Sequence, residues 1–414
     1  MPVSKRHALT FVVITVLLDV IGFGIIMPVL PDFLETINPV GASENSKVSG
    51  YLLFSYAVLQ FFFAPVLGNL SDRFGRRKVL LVSLFAYAVN YLIMGLATTL
   101  WVLFIGRVLT GIASATYATA NAVIADITEP DERAQNFGLL GMAFGIGFII
   151  GPALGGVLGE WDIRAPFFLA AALAFANTLY GYFAMKETLP ESSRRPFDWA
   201  RANPVGALQQ ARQYPVIIGL LAAMFIYNLA HHVYPANWNF YAMAKFDWSP
   251  SEIGVAMGFV GVMMAIVQGG LIRIVVPKLG PPKTAFLGFF GAAAAYLGIA
   301  FAHSELALYM WLAVSALAGF VMPAVQAILA NQVASNQQGE LQGILASVAS
   351  LSAVFGPLAM THTFAYFTSA AAPVVFPGAA FLLAGVLTVL AVFVFAGHVK
   401  GLIAADQDVG SASA

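Results

Sequence analysis

Residues 68–78 read Gly-Asn-Leu-Ser-Asp-Arg-Phe-Gly-Arg-Arg-Lys, and this polar stretch joins two long apolar runs at about 48–70 and 78–97. A bilayer core about 30 Å thick is crossed by roughly 20 apolar residues in a helix, so each run can span a membrane. The two glycines of the stretch permit a tight turn. The segment therefore predicts two membrane helices joined by a short, basic loop that stays in water.

Apolar runs of this length recur along the whole chain, which has 414 residues, of which 60% are hydrophobic and 10% charged. Soluble domains carry about 25% charged residues, so this composition excludes a soluble enzyme and a disordered chain. The absence of cysteine excludes a disulfide scaffold, and a net charge of zero argues against nucleic-acid binding. We predict an all-α membrane protein with twelve transmembrane helices. They lie at about 8–31, 48–70, 78–97, 100–125, 134–157, 166–185, 215–240, 251–274, 284–302, 306–329, 341–367 and 374–396.

The basic residues predict the orientation, because cytoplasmic loops of membrane proteins are enriched in Lys and Arg. With the N-terminus inside, sixteen of the twenty basic residues fall in cytoplasmic segments. The outer loops hold only Lys47, Arg164 and Lys245, and Arg107 lies within a span. Both termini are therefore expected in the cytoplasm, and the first run is expected to be retained as a span because it lacks a cleavage site.

The two halves of the chain repeat with an offset of 205 residues. Ala125-Asp126 corresponds to Ala330-Asn331, and Gly151-Pro152 to Gly356-Pro357, with the same shift relating Gly75 to Gly280. Parallel repeats of this kind place a substrate site near the midplane of a transporter. We predict a six-helix bundle at 1–185, a cytoplasmic linker at 186–213, a second six-helix bundle at 214–400 and a disordered cytoplasmic tail at 401–414.

The spacing Gly-x-x-x-Asp-Arg-x-Gly-Arg-Arg in residues 68–77 resembles the conserved loop of the major facilitator superfamily. The resemblance implies a conformational latch that gates transport, to which Asp126 also belongs. The expected gating residues are Gly68, Asp72, Arg73, Gly75, Arg76, Arg77 and Asp126. A plainer interpretation stays open, in which the basic residues only hold the loop inside and Asp72 caps the next helix.

The predicted fifth span contains glycines at a spacing of four, Gly147, Gly151 and Gly155, with Pro152 among them. Residues four apart share a helix face, and small residues there let a neighbouring helix approach closely. Packing alone accounts for such a face. The arrangement also resembles the motif of antiporters in the superfamily, which implies a part in sealing the transport pathway.

Asp19 and Arg107 are the charges of the first half that lie deepest in predicted spans. A charge at the bilayer centre costs about 3 kcal/mol even on the lenient insertion scale, so each is a candidate functional residue. A carboxyl in apolar surroundings favours its protonated form, and a nearby guanidinium favours the charged form. Asp19 is thus expected to carry a proton or bind a cationic substrate; a static ion pair with Arg107 is the alternative.

The predicted seventh span is the most polar helix of the second half. Tyr227, His231, Tyr234 and Trp238 recur on one helix face, with Asn228, His232 and Asn239 on an adjacent strip. We expect His231 and His232 to carry protons or donate hydrogen bonds, because histidine titrates near neutral pH. In the alternative, the aromatic side chains are packing residues, and Trp238 belongs to the interfacial belt.

Within the superfamily, the chain resembles the tetracycline-efflux group of drug:proton antiporters over nearly its whole length. The stretches that carry the resemblance are 18–31, 60 with the following loop, 123–133, 322–327 and 338–343. It implies transport roles for Asp19, Gln60, Arg73 and Arg107, and a cavity lined by spans one, four, seven and ten. The expected cavity residues are Gln60, Tyr117, Asn121, Tyr227, Asn228, Tyr234, Trp238 and Gln326.

Three positions depart from that group. This chain has Asn90 where the pumps have an acid, Met264 where they have a histidine, and Ala292 where they have a second acid. The proton route of the second half is therefore expected to differ from theirs.

We expect a secondary active transporter that exports amphipathic small molecules or drugs in exchange for protons, by alternating access. The alternative is a facilitator, importer or lipid-type carrier of a metabolite on the same scaffold. No hydrolase or metalloprotease motif occurs, so an enzyme is not expected, nor is a cofactor or bound metal. The expected setting is a bacterial inner membrane, with a small-molecule substrate, protons and the lipid bilayer as partners and a monomer as the working form.

Overall fold

The structure is a computed structural model, and it describes residues 3–114, 116–128, 133–199, 203, 206, 209, 211–333 and 337–412. The described backbone is helical and contains no strand, which confirms the predicted all-α class. Helices suit a chain of this composition, because in hydrocarbon each backbone N–H and C=O needs a partner within the same segment.

The helices that precede the linker differ widely in length. They are α1 (Val3–Ile26), α2 (Leu30–Ile37), α3 (Ala42–Phe74), α4 (Arg76–Leu96), α5 (Leu100–Ala113), α6 (Thr116–Ile127), α7 (Arg133–Trp161) and α8 (Ala165–Ala184).

The helices that follow the linker form the second series. They are α9 (Pro215–His231), α10 (Val233–Phe246), α11 (Pro250–Ile266), α12 (Ile272–Phe301), α13 (Glu305–Ser315), α14 (Val321–Ala330), α15 (Gln338–Thr368) and α16 (Ala379–Ala412). A π-helical turn at Val267–Leu271 joins α11 to α12. The backbone of α16 is helical up to Ala412, within the tail that the composition predicts to be disordered.

Among the described residues, ten helical stretches are long and apolar enough to cross a membrane. One of them, Pro250–Phe301, covers two predicted spans and is interrupted at Gly280, where φ is 73° and ψ is 162°. The predicted fourth span is divided at Ser114 into a shorter apolar helix, α5, and α6. With these two breaks taken into account, the stretches correspond to the twelve predicted spans.

The chain forms two compact units. The first comprises Met1–Pro204 and Ala242–Gly261, and the second comprises Val205–Tyr241 and Val262–Ala414. In the first unit α1 is central and packs against α6, α7 and α8. In the second unit α9 packs against α15 and α16, while α12 packs against α13, α14 and α16.

The glycine face of α7 lies directly against α1. A Cβ atom at Gly151 would be 2.8 Å from the Ile21 carbonyl oxygen, and one at Gly147 would be 2.9 Å from the Val20 Cβ atom. At Gly155 it would overlap the carbonyl of Ile25. The three glycines therefore bring the two helix backbones closer than any larger residue would allow.

Corresponding positions of the repeat have the same backbone geometry. Gly75 and Gly280 both have positive φ, 101° and 73°, which a residue with a Cβ atom adopts only with strain. Gly356, the counterpart of Gly151, also lies at a close helix approach, since its Cβ atom would be 2.7 Å from that of His232.

We predict that Gly151→Ala lowers the free energy of unfolding by about 1–3 kcal/mol, because the added methyl group collides with backbone that cannot move aside. Thermal unfolding of the detergent-purified protein measures the effect. Gly145→Ala on the same helix is the matched control, because no heavy atom lies within 4 Å of a Cβ atom there. Equal unfolding midpoints for the two variants would contradict the proposed contact.

Candidate functional site

The loop between α3 and α4 is organised around the guanidinium of Arg76, which is 9% exposed. Its Nη1 atom lies 2.5 Å from Asp72 Oδ1 and donates a hydrogen bond to Ser71 Oγ at 2.6 Å. Its Nε atom lies 3.0 Å from Asp126 Oδ2 on α6. One side chain thus joins α3, α4 and α6, and because the guanidinium of Arg76 is buried, loss of its carboxylate partners would leave a buried charge unpaired.

The carboxyl group of Asp126 is sensitive to this contact. Burial raises its pKa above the ordinary value, and the Arg76 guanidinium acts in the opposite direction. Because the raised pKa means that protonation occurs at a higher pH than in a free Asp, the ion pair with Arg76 weakens on milder acidification.

Glu187, just after α8, caps the start of α4. Its carboxylate accepts hydrogen bonds from the backbone N–H groups of Arg76 at 2.8 Å and Arg77 at 3.3 Å. A negative group at a helix N-terminus is favoured by the unpaired N–H groups and by the helix dipole. A Cβ atom at Gly75 would collide with this carboxylate, so Gly75 is needed for space as well as for its positive φ.

The first part of the linker lies on the same loop. Asn69 Nδ2 donates to the carbonyl of Asp198 at 2.6 Å, and Arg195 N donates to the carbonyl of Asp72 at 3.2 Å. Of the remaining expected gating residues, Arg77 donates to the Tyr182 carbonyl at 2.6 Å, whereas Arg73 is exposed over the Phe74 ring and Gly68 faces open space.

A cluster of polar side chains lies within the helices of the first unit; we call it the tyrosine cluster. Its members come from α1, α3, α4 and α5 and are Asp19, Tyr56, Gln60, Tyr87, Tyr91 and Arg107. Gln60 Nε2 donates to Tyr56 OH at 3.0 Å, and the hydroxyls of Tyr56 and Tyr87 lie 3.3 Å apart. Tyr91 points its hydroxyl at α1, where a Cβ atom at Gly22 would be 3.1 Å away.

Asp19 and Arg107 both belong to this cluster, but they do not form an ion pair within 4 Å among the described residues. The charges of both interact electrostatically with the hydroxyls of Tyr56 and Tyr91. Asp19 also faces the hydroxyl of Thr116 on α6. Both charged side chains are partly exposed, so the static ion pair considered as an alternative is not the arrangement found.

Asn90 is buried against Gly106, the residue before Arg107. The Asn90 Oδ1 atom would be 2.7 Å from a Cβ atom at Gly106 and has no hydrogen-bond partner among the described residues, whereas Nδ2 donates to Met94 Sδ at 3.7 Å. Asn121 lies on α6 and is partly exposed. The side chain of Tyr117 lies outside the described part of the structure.

The stripe predicted on the seventh span is interrupted at His232, which lies between α9 and α10, yet its aromatic residues still pack together. His231 stacks on Tyr227 with ring centroids 5.9 Å apart and meets Tyr234 edge-on at 5.6 Å. The His231 Nδ1 atom is 2.9 Å from Tyr296 OH on α12, and Tyr234 and Tyr296 are 5.5 Å apart. We call these four residues the histidine cluster of the second unit.

Trp238 is 3% exposed and packs against Tyr241 and Phe381, so it is a core residue of the second unit and not part of an interfacial belt. Asn228 and Gln326 are partly exposed, and His232 packs against Gly356.

Two of the three positions that depart from the tetracycline-efflux pattern lie in the second unit, and both hold apolar side chains. Ala292 is buried, and the Met264 sulfur lies 3.9 Å from Gln268 Nε2.

Three residues of these sites were not predicted from the sequence. They are Glu187 at the start of α4, Tyr87 in the tyrosine cluster and Tyr296 in the histidine cluster. Glu187 stands in a polar linker, where no local signal marks it as a helix cap. Tyr87 and Tyr296 lie in apolar runs, and only the partners on other helices reveal their roles. A spacing of four between Tyr87 and Tyr91 was the one available signal.

We predict that Glu187→Ala lowers the free energy of unfolding by about 0.5–2 kcal/mol, because it leaves the first N–H groups of α4 without their cap. Thermal unfolding in detergent measures this change. Glu191→Ala is the control, since the Glu191 side chain is 88% exposed and, among the described residues, pairs with Arg194 alone at 3.3 Å. The cap would be refuted if both variants unfolded at the wild-type midpoint.

Comparison with known protein sequences assigns the chain to a family. The sequence model of the Major Facilitator Superfamily matches residues 12–314 and 233–403. The chain is 39% identical over 362 residues to tetracycline resistance protein class C of Escherichia coli, covering 87% of this chain and 91% of that protein.

Solved structures show the same fold. The human organic anion transporter MFSD10 is 25% identical, with a TM-score of 0.70 over 95% of this chain and 100% of its own. The nucleoside transporter NupG is 13% identical and shares the fold, with a TM-score of 0.78 over 94% of this chain and 99% of its own. The chain therefore belongs to the major facilitator superfamily and is a multi-pass membrane transporter of small molecules.

Proposed function

We propose that the protein exports amphipathic organic molecules, drugs among them, in exchange for protons by alternating access. The name of the class C relative supports a drug as the exported molecule, because that protein is a tetracycline resistance protein. The proposed setting is a bacterial inner membrane, with a monomer whose termini are both in the cytoplasm.

The observation that carries the proposal is the position of Asp19. It is a carboxyl group on a membrane helix, partly exposed, within electrostatic range of the Tyr56 and Tyr91 hydroxyls and without an ion-pair partner within 4 Å among the described residues. A carboxyl in this setting is costly when charged and is neutralised by a proton, unless a cation approaches. Its charge therefore depends on what occupies its surroundings.

Proton exchange follows from that dependence. A cationic or polar substrate near Asp19 favours the carboxylate and releases the proton. Departure of the substrate favours protonation again. The hydroxyls of Tyr56 and Tyr91 interact electrostatically with both Asp19 and Arg107. A movement of Arg107 can therefore change the electrostatic environment of the Asp19 carboxyl group.

The same proposal gives the second unit a different role. Its histidine cluster offers one titratable imidazole, with Nδ1 facing the Tyr296 hydroxyl at 2.9 Å. A neutral imidazole donates or accepts a hydrogen bond there according to its tautomer, and it can take up a proton to become charged. We propose that His231 assists proton movement, while His232 serves mainly the packing against Gly356.

Two further elements support transport by conformational exchange. The Arg76 network ties three helices through ion pairs that can separate and reform, as a latch requires. The glycine face of α7 lets α1, which carries Asp19, lie against it with almost no side chain between them. We propose that the network gates the exchange and that the glycine face keeps the proton site sealed.

The direct test is Asp19→Asn in proteoliposomes loaded with a fluorescent amphipathic drug. We expect transport driven by a pH gradient to fall to the level of protein-free vesicles, because the amide cannot take up a proton. The control is Asp32→Asn on α2, which is also partly exposed but lies outside the tyrosine cluster. Undiminished pH-driven transport by the Asp19 variant would overturn the proposal.

A second function is favoured by Arg107. Arg107 is partly exposed, and no carboxylate among the described residues lies within 4 Å to neutralise its guanidinium. Such a cation can bind an organic anion, which is what the name of the MFSD10 relative describes. In this case the protein is a carrier of organic anions and need not be coupled to protons.

A protonophore separates the two functions. For the proton-coupled exporter, collapse of the pH gradient stops accumulation of substrate. For the anion carrier, flux of a fluorescent organic anion persists in the presence of the protonophore and is lost in Arg107→Gln. Accumulation that continues without a gradient would rule out the proton-coupled exporter.

A further inference from the structure

A cavity of about 500 Å³ lies in the first unit, where α4 begins and α8 ends. Four basic residues line it: Arg77, Lys78, Lys186 and Arg194. Tyr182 and Phe183 also form part of its wall. The cavity is distinct from the tyrosine cluster, with which it shares no residue.

The charge of the cavity remains positive after its own acids are considered. Both oxygens of Glu187 accept N–H groups at the start of α4, and Glu191 is 88% exposed and pairs with Arg194. Lys78 and Lys186 are exposed and have no ion-pair partner within 4 Å among the described residues.

The two arginines of the lining bring guanidinium groups to the cavity from two sides. Arg77 lies at the start of α4, and Arg194 lies in the segment that follows α8. Guanidinium groups bind phosphate particularly well, since their N–H groups match its oxygens.

The location of the cavity indicates what kind of phosphate it accepts. It lies at the ends of two helices that are long and apolar enough to cross a membrane, Arg76–Leu96 and Ala165–Ala184. Tyr182 is 59% exposed and Phe183 is 80% exposed beside it, as aromatic residues at a membrane–water boundary are. A ligand there can place its head in the cavity and its acyl chains along α8.

We propose that this cavity binds the phosphate headgroup of an anionic phospholipid. The bound phosphate contacts the start of α4 and the segment that follows α8, which Glu187 already joins. Basic pockets between membrane helices bind anionic headgroups in this manner. Occupancy therefore stabilises the folded protein, and the stabilisation grows with the logarithm of the lipid concentration once the site is saturated, as for any ligand that binds only the folded state.

The test uses the purified, delipidated full chain in detergent and measures thermal unfolding as phosphatidylglycerol or phosphatidylcholine is added. The variant is Lys78→Gln with Lys186→Gln. The matched control is Lys278→Gln with Lys283→Gln, which makes the same change of charge; Lys278 and Lys283 are exposed, and Lys283 is the repeat counterpart of Lys78.

We expect phosphatidylglycerol to raise the unfolding midpoint of the wild type and of the control, with phosphatidylcholine much weaker. In the Lys78/Lys186 variant the apparent affinity should fall on the order of 10- to 30-fold, because two charges next to the headgroup are removed. Lys78→Arg with Lys186→Arg should restore it, which separates loss of charge from loss of fold.

Three results would overturn the proposal. They are an equal response to phosphatidylcholine, an unchanged response in the Lys78/Lys186 variant, and a response to inorganic phosphate alone that matches that of phosphatidylglycerol. The last would identify a free anion, and not a lipid, as the ligand of the cavity.

Discussion

The cost of placing a charge or an unpaired polar group in hydrocarbon governs this structure. It makes the backbone helical, because helices pair their own N–H and C=O groups. It also keeps charged side chains out of the spans except where several polar groups can share one location. The tyrosine cluster is such a location, in which Asp19 and Arg107 both lie within electrostatic range of tyrosine hydroxyls from α3 and α4.

The two units differ in the polar groups that they place within their helices. The first unit holds a carboxyl and a guanidinium among tyrosines, whereas the corresponding interior of the second unit holds the imidazole of His231 among tyrosines. Tyrosine suits both clusters, because its ring packs like an apolar residue and its hydroxyl can donate or accept. The repeat has therefore kept its backbone geometry, at Gly75 and Gly280 for example, while its chemistry has diverged.

Charges outside the spans connect elements that are distant in the sequence. Arg76 lies where α3, α4 and α6 meet, and Glu187 holds the start of α4 to the segment after α8. Neighbouring Arg77 and Lys78 line the basic cavity. A conformational change in the loop between α3 and α4 would therefore alter contacts with three helices and with the linker.

Features that depend on local sequence were predictable. Apolar runs gave the helices, and glycines four apart gave the close face of α7 that Gly151 forms with Ile21. Features that depend on contacts between distant segments were not. Nothing near Glu187 shows that it caps a helix 111 residues away. Likewise, Trp is a common residue at membrane–water interfaces, and the sequence therefore left an interfacial position open for Trp238. Its contact with Phe381 shows that it is buried.

The central claim is that the charge of Asp19 changes when substrate binds. The direct measurement is the pH of a weakly buffered solution of the purified protein as an amphipathic drug is added. The account predicts that wild-type protein releases protons as it binds the drug, and that Asp19→Asn binds the drug without release. Equal proton release from both proteins, or none from the wild type despite binding, would contradict it.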